Sequence, residues 1–151
     1  MTSYSKAVPI LFGCLAATQA TAEVYYNEIG KKAYAQWDCA AFAALTDEHQ
    51  QEGLKLFNSG YEKLVLFVEA GRASKLNSDN TNEVPVGILW NLTSGPSADF
   101  SIGYMWYQFL DNAEEETADA DSDLSYDLMM SLKAEKASQI YRKKNCELLL
   151  D

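Results

Sequence analysis

Leu54-Lys55-Leu56-Phe57-Asn58-Ser59-Gly60-Tyr61-Glu62-Lys63-Leu64-Val65-Leu66-Phe67-Val68 decides the fold class. Leu54, Phe57, Tyr61, Leu64, Val65 and Val68 recur at helical spacing and lay an apolar stripe along one face. Asn58-Ser59-Gly60 interrupts the stripe as a turn signal would. The stripe keeps its phase across Gly60, so about Asp47 to Ala70 is expected to be one long helix. Gly60 would then cost about 1 kcal/mol relative to alanine. Gly71 is the expected stop, because glycine takes a left-handed conformation cheaply. Thr46 or Asp47 is placed to cap the start by accepting from a free backbone N–H.

The same period extends to both sides. From Tyr25 to about Leu45, the residues Ile29, Ala33, Trp37, Ala40, Ala41 and Ala44 share one face. Arg72–Glu83 is polar and reads as a surface loop. Val84–Leu92 is continuously apolar, which suits a buried strand or a short helix. Pro85 fits a first helical turn and no strong second strand lies nearby, so helix is favoured while strand stays open. After the break at Thr93–Ser97, Pro96 or Ser97 opens a helix to about Ala113. Phe100, Gly103, Tyr107 and Leu110 mark its expected inner face, with Trp106 on the flank. A last helix, about Ser125 to Leu149, carries Leu128, Leu132, Ile140 and Tyr141. Arg142, Lys143 and Lys144 complement its dipole. The expected fold is all-α, a compact bundle of four to five helices.

Met1–Ala22 has the pattern of a cleavable export signal. Lys6 is its one charged residue, Ala7–Ala17 is an apolar core, and Ala20-Thr21-Ala22 is a small-x-small cleavage pattern. The apolar core is too short to span a bilayer, which takes about 20 residues, and so is every later apolar run. Residues 1–22 are therefore read as a leader and 23–151 as a single helical domain, periplasmic or secreted. A buried N-terminal helix is the competing reading. A second competitor is the lipobox-like Leu11-Phe12-Gly13-Cys14, which would anchor a lipoprotein through Cys14.

Cleavage removes Cys14 and leaves Cys39 and Cys146. An even pair in an oxidising compartment usually bridges, so one disulfide is expected to join the first and last helices. A free or redox-active pair is the alternative. The Cys-x-x-Cys spacing that favours redox chemistry is absent. The chain carries 22 acidic and 12 basic side chains, net −10. The leader holds one lysine and no acid, so the mature chain stands at −11. Such a surface repels nucleic acid and steers basic proteins or cations inward, although acidity also serves solubility alone.

Residues that carry chemistry are sparse. His49, the single histidine, sits in an expected first helical turn and reads as exposed. Gly95-Pro96-Ser97 lacks the second glycine of a nucleophile elbow, so Ser97 reads as a helix cap. Asp119, Asp121 and Asp123 have the spacing that opens an EF-hand loop. Leu124 stands where its glycine belongs and Met130 where its bidentate glutamate belongs. A solvated acidic loop is expected there, with weak calcium association as the alternative. Asn91-Leu92-Thr93 matches a glycosylation sequon. Tyr104, Trp106, Tyr107 and Phe109 read as core or flank, with a ligand surface as the alternative. No catalytic set is recognisable, so any catalytic residues stay unassigned, and no structural metal or cofactor is expected.

Four segments resemble parts of a group of small exported proteobacterial or phage-borne proteins of uncharacterised function. They are Trp37-Asp38-Cys39-Ala40-Ala41-Phe42-Ala43-Ala44-Leu45, Glu83-Val84-Pro85-Val86-Gly87, Gly95-Pro96-Ser97-Ala98-Asp99-Phe100-Ser101-Ile102-Gly103 and Asn145-Cys146-Glu147-Leu148. The shared features are a leader, an early Cys, a Val-Pro-Gly segment, a Gly-Pro-Ser helix start and a late Cys. The resemblance covers most of the mature chain; it implies a two-cysteine bridge and no catalytic residue. The expected function is that of an exported, non-catalytic, acidic binding protein that modulates a basic envelope partner such as a lysozyme-like enzyme. The alternatives are a small enzyme with a carboxylate/Tyr/Ser site converging from several helices, or a structural or stress-related envelope protein.

Overall fold

The computed structural model describes residues 17–118 and 124–150, with side chains described from Tyr25 onward. Five helices and a terminal 3₁₀ turn follow one another: α1 (Ala17–Ala43), α2 (Gln50–Arg72), α3 (Val86–Leu89), α4 (Ala98–Thr117), α5 (Tyr126–Lys143) and Cys146–Leu149. No strand occurs among the described residues, and Val84–Leu92 resolves to the short helix α3. None of the described helices is long and apolar enough to cross a membrane. The helical backbone of α1 continues through Ala22-Glu23, where the expected cut lies.

α1 is the central element. It packs most extensively on α2 and also touches α4, α5 and the terminal turn. Its Ala33, Trp37, Ala40 and Ala41 are buried as the spacing predicts, whereas Ala44 is exposed. α2 is unbroken across Gly60. Its buried face is shifted from the predicted stripe: Leu64 and Val68 are buried as expected, but Gly53, Leu56, Gly60 and Phe67 also face inward while Leu54 and Tyr61 are exposed. The glycines are part of the contact. A Cβ on Gly60 would stand 2.4 Å from Trp37 Cδ1, so the indole lies directly on the α2 backbone. Trp37 is fully buried, donates from Nε1 to Phe57 O at 2.9 Å, and stacks on the Phe57 ring.

Helix ends differ from expectation at α2 and agree at α4. Neither Thr46 nor Asp47 caps α2; His49 occupies that position without a side-chain bond, and Thr46 Oγ1 instead accepts from Glu48 N. The helix passes Gly71, and the left-handed residue is Ser74, with φ 56°. Ser97 caps α4 by accepting from Phe100 N. Arg72 Nη2 donates to Gly95 O at 3.1 Å, Ser97 O at 2.9 Å and Ser101 Oγ at 3.0 Å. The Gly-Pro-Ser segment is thus held against the end of α2 by a guanidinium bridging backbone carbonyls.

The inner face of α4 is the largest correction. Ile102, Met105, Phe109 and Ala113 are buried, while Phe100, Gly103 and Tyr107 face outward. Both sets satisfy spacings of three and four, and Phe100–Leu110 carries aromatic and aliphatic residues on both faces, so periodicity alone chose the wrong one. In α5 only Ala137, Ser138 and Tyr141 are buried, all in the C-terminal half. Asn145, left-handed with φ 54°, then turns the chain back toward α1. Cys146 bonds to Cys39 across 107 positions, with Cα atoms 5.6 Å apart. Lys144 Nζ donates to Asp38 Oδ2 at 2.8 Å, and Gln36 Nε2 to Leu149 O at 3.0 Å, on either side of the bridge.

Candidate functional site

His49 is buried and structural. The turn between α1 and α2 places it against α5, where its ring stacks on Tyr141 at 4.1 Å and its Nε2 lies 3.0 Å from Ser138 Oγ. Ser138 Oγ donates to Glu48 Oε2 at 2.6 Å, and Arg142 pairs with the other carboxylate oxygen. A serine, a histidine and a glutamate therefore meet, but in an order that opposes catalysis. An ionised carboxylate only accepts, so the serine proton points at Glu48. Its oxygen must then receive the His49 Nε2–H. A triad needs the imidazole to accept the serine proton, and here it donates. The cluster is a polar clamp that fastens the α1–α2 turn to α5.

The Ser138 hydroxyl, followed by the Arg142 guanidinium, holds the Glu48 carboxyl below its ordinary 4.5. A carboxyl depressed on folding stabilises the fold above its unfolded pKa, and that contribution is lost as pH falls through the folded value. Unfolding curves between about pH 6 and pH 3 are expected to show the advantage of wild type over Glu48→Gln shrinking below about pH 4.5. A constant difference across that range would show that the clamp does not use the charge. Burial, reinforced by Glu52 and Glu147, pushes the Tyr141 phenol above its ordinary 10, so it stays neutral beside His49.

The candidate site lies on the neighbouring surface. An open groove of about 820 Å³ runs between the α1–α2 turn and the first half of α5. Its small lining residues, which make a low floor, are Ala40 and Ala43 at the end of α1 and Gly53 at the start of α2, with exposed Ala44 just past α1. Leu54, Phe57 and Trp106 form one wall, and Met130 and Ala134 the other. The small floor has a local cause: a Cβ on Gly53 would come within 2.7 Å of Ala43 Cβ, so α1 and α2 touch there through their smallest residues. Thr46, Asp47, Gln50, Gln51, Glu114 and Lys133 supply the polar rim. Lys133 Nζ lies 3.5 Å from Glu114 Oε1, so its charge is compensated at the site. Such a surface offers apolar contact, close backbone approach and hydrogen bonding at the edge.

The other residues singled out in the sequence separate. Cys39 and Cys146 come together in the bridge. Asp119, Asp121 and Asp123 lie outside the described residues. Among the described residues no cluster of His, Cys, Asp or Glu has a metal-binding arrangement. Asn91 is buried and its Nδ2 donates to Gly87 O and Gln108 Oε1, both at 2.7 Å, so the sequon nitrogen is occupied in this fold. The α4 aromatics divide: Phe109 and Trp106 join the cluster around Trp37, while Tyr104 and Tyr107 are exposed. The groove itself was missed. Leu128-Met129-Met130 held a signal for it, since three consecutive apolar residues cannot all face one side of a helix. The chain matches no family model, no curated protein and no solved structure.

Proposed function

We propose that the protein is an exported, acidic, non-catalytic binding protein that modulates a basic partner in the cell envelope. The observation that carries this reading is the open apolar groove, whose rim holds Asp47 and the Glu114–Lys133 pair, on a body of net charge −10. The leader-like Met1–Ala22 and the Cys39–Cys146 bridge support a place outside the reducing cytosol, periplasmic or secreted. Long-range charge would steer a cationic protein toward this surface, and the groove would supply contact once the two meet.

Capture from an envelope extract on the immobilised mature protein tests the reading. A basic protein is expected on the column at about 50 mM salt and largely absent at about 500 mM, where the Debye length has fallen to a few ångströms. Capture indifferent to salt, or of no basic protein, would sink it.

A further inference from the structure

We propose that the groove receives a basic amphipathic helix of the partner, apolar face inward. This inference rests on the reading that the partner is basic. It begins with the uneven burial of α5. The last half of the helix is anchored by Ala137, Ser138 and Tyr141, but Tyr126 to Ser131 are exposed throughout. Met130, which lines the groove from α5, is 40% exposed, and Leu54, which lines it from α2, is 62% exposed. Exposed apolar side chains from α2 and α5 thus line the groove together with Ala40, Ala43 and Ala44.

That shape suits a helix more than an extended strand. Helix-in-groove recognition uses apolar anchors at i, i+3, i+4 and i+7 between apolar walls, with backbone approach limited by the floor. Ala40, Ala43, Ala44 and Gly53 keep that floor low. Met130 lends an unbranched wall that adapts to differing anchors. Leu54, Phe57 and Trp106 make the firmer side.

Charge selects among occupants. A second copy would bring two bodies of net −10 together, and like-charge repulsion opposes that pairing. Lysine or arginine flanking an apolar stripe would meet Asp47 on the groove rim. Lys133 is already paired with Glu114 and offers an anionic helix little.

The test uses the full mature protein and a synthetic helix of leucine and lysine, leucines at i, i+3, i+4 and i+7, with binding read by calorimetry. Its glutamate counterpart and a scrambled peptide of the same composition are the comparisons. Binding of the leucine–lysine helix is expected to exceed both by at least about tenfold. The double substitution Leu54→Ser/Met130→Ser should weaken it at least about tenfold, because both side chains lose apolar contact. Leu148→Ser, at a residue 83% exposed and away from the groove, should leave it unchanged. Leu54 and Met130 contribute little to the core, and circular dichroism confirms that the variant is folded.

Equal binding of the scrambled or glutamate peptide overturns the proposal, as does undiminished binding by the double variant. So does a dimer of the protein that the double substitution abolishes, since the occupant would then be a second copy. Loss of the groove result with salt-sensitive envelope capture intact removes only the helix assignment. Specific helix binding with no basic envelope protein captured removes the functional reading instead.

Discussion

Removing the Cys39–Cys146 bond is expected to lower stability by about 3–5 kcal/mol, or roughly 10 °C in Tm. The bridge closes a loop of 107 positions, and a loop of about that length restricts the unfolded chain by up to roughly 4.7 kcal/mol in the chain-entropy model. Both sulfurs are buried, Cys39 at 2% and Cys146 at 0% exposure, so their replacement also loosens packing. The contacts beside the bridge are weaker substitutes. Lys144 with Asp38 is a partly exposed ion pair, of the kind worth at most about 1 kcal/mol. Gln36 to Leu149 is a single side-chain-to-backbone bond. Urea unfolding of the oxidised protein against Cys39→Ala/Cys146→Ala checks the expectation. A difference under about 1 kcal/mol would mean that the terminal turn is held by its side chains and that the crosslink is dispensable.

Gly60→Ala and Gly103→Ala are expected to change stability in opposite directions, although both place the better helix former inside a helix. Propensity alone favours alanine at each site by about 1 kcal/mol. At Gly60 the new methyl would stand 2.4 Å from Trp37 Cδ1 and 2.9 Å from Nε1. Trp37 cannot yield easily: it is fully buried, stacked on Phe57, edge-on to Trp106 and Phe109, and hydrogen-bonded to Phe57 O. Overpacking of this kind costs about 1–3 kcal/mol. Displacing the indole from its acceptor adds a further loss of about 1 kcal/mol, so Gly60→Ala should be destabilised by about 2 kcal/mol net. Nothing lies within 4 Å of a Cβ at Gly103, and there Gly→Ala should stabilise by about 0.5–1 kcal/mol. Thermal melts of the two variants decide the matter. Equal signs would show that α2 slides on α1 enough to absorb a methyl.

The contrast between those glycines marks where sequence reading stopped. Gly60 looked like a helix weakness to be tolerated, and Gly103 like part of a buried inner face. The packed structure reverses these roles. A glycine carries no side chain to betray its face, so only the neighbour fixes its meaning. His49 was misplaced for a related reason. A polar residue between helices reads as exposed unless its partners are known, and those partners, Ser138 and Tyr141, arrive from α5. The groove was hidden because exposed Leu54 fell in phase with buried Leu64 and Val68 on α2.

The sequence alone determined the helices and the pairing of their ends. The 3.6-residue period of α2, the Ser97 cap and the two well-separated cysteines at positions 39 and 146 are local or countable features, legible without a partner. Tertiary structure alone decided which of two equally periodic faces of α4 turns inward, where the α2 glycines sit, and which half of α5 stays uncovered. Helical spacing fixes which residues share a face, whereas burial depends on the shape of the surface they meet, and that surface comes from distant parts of the chain.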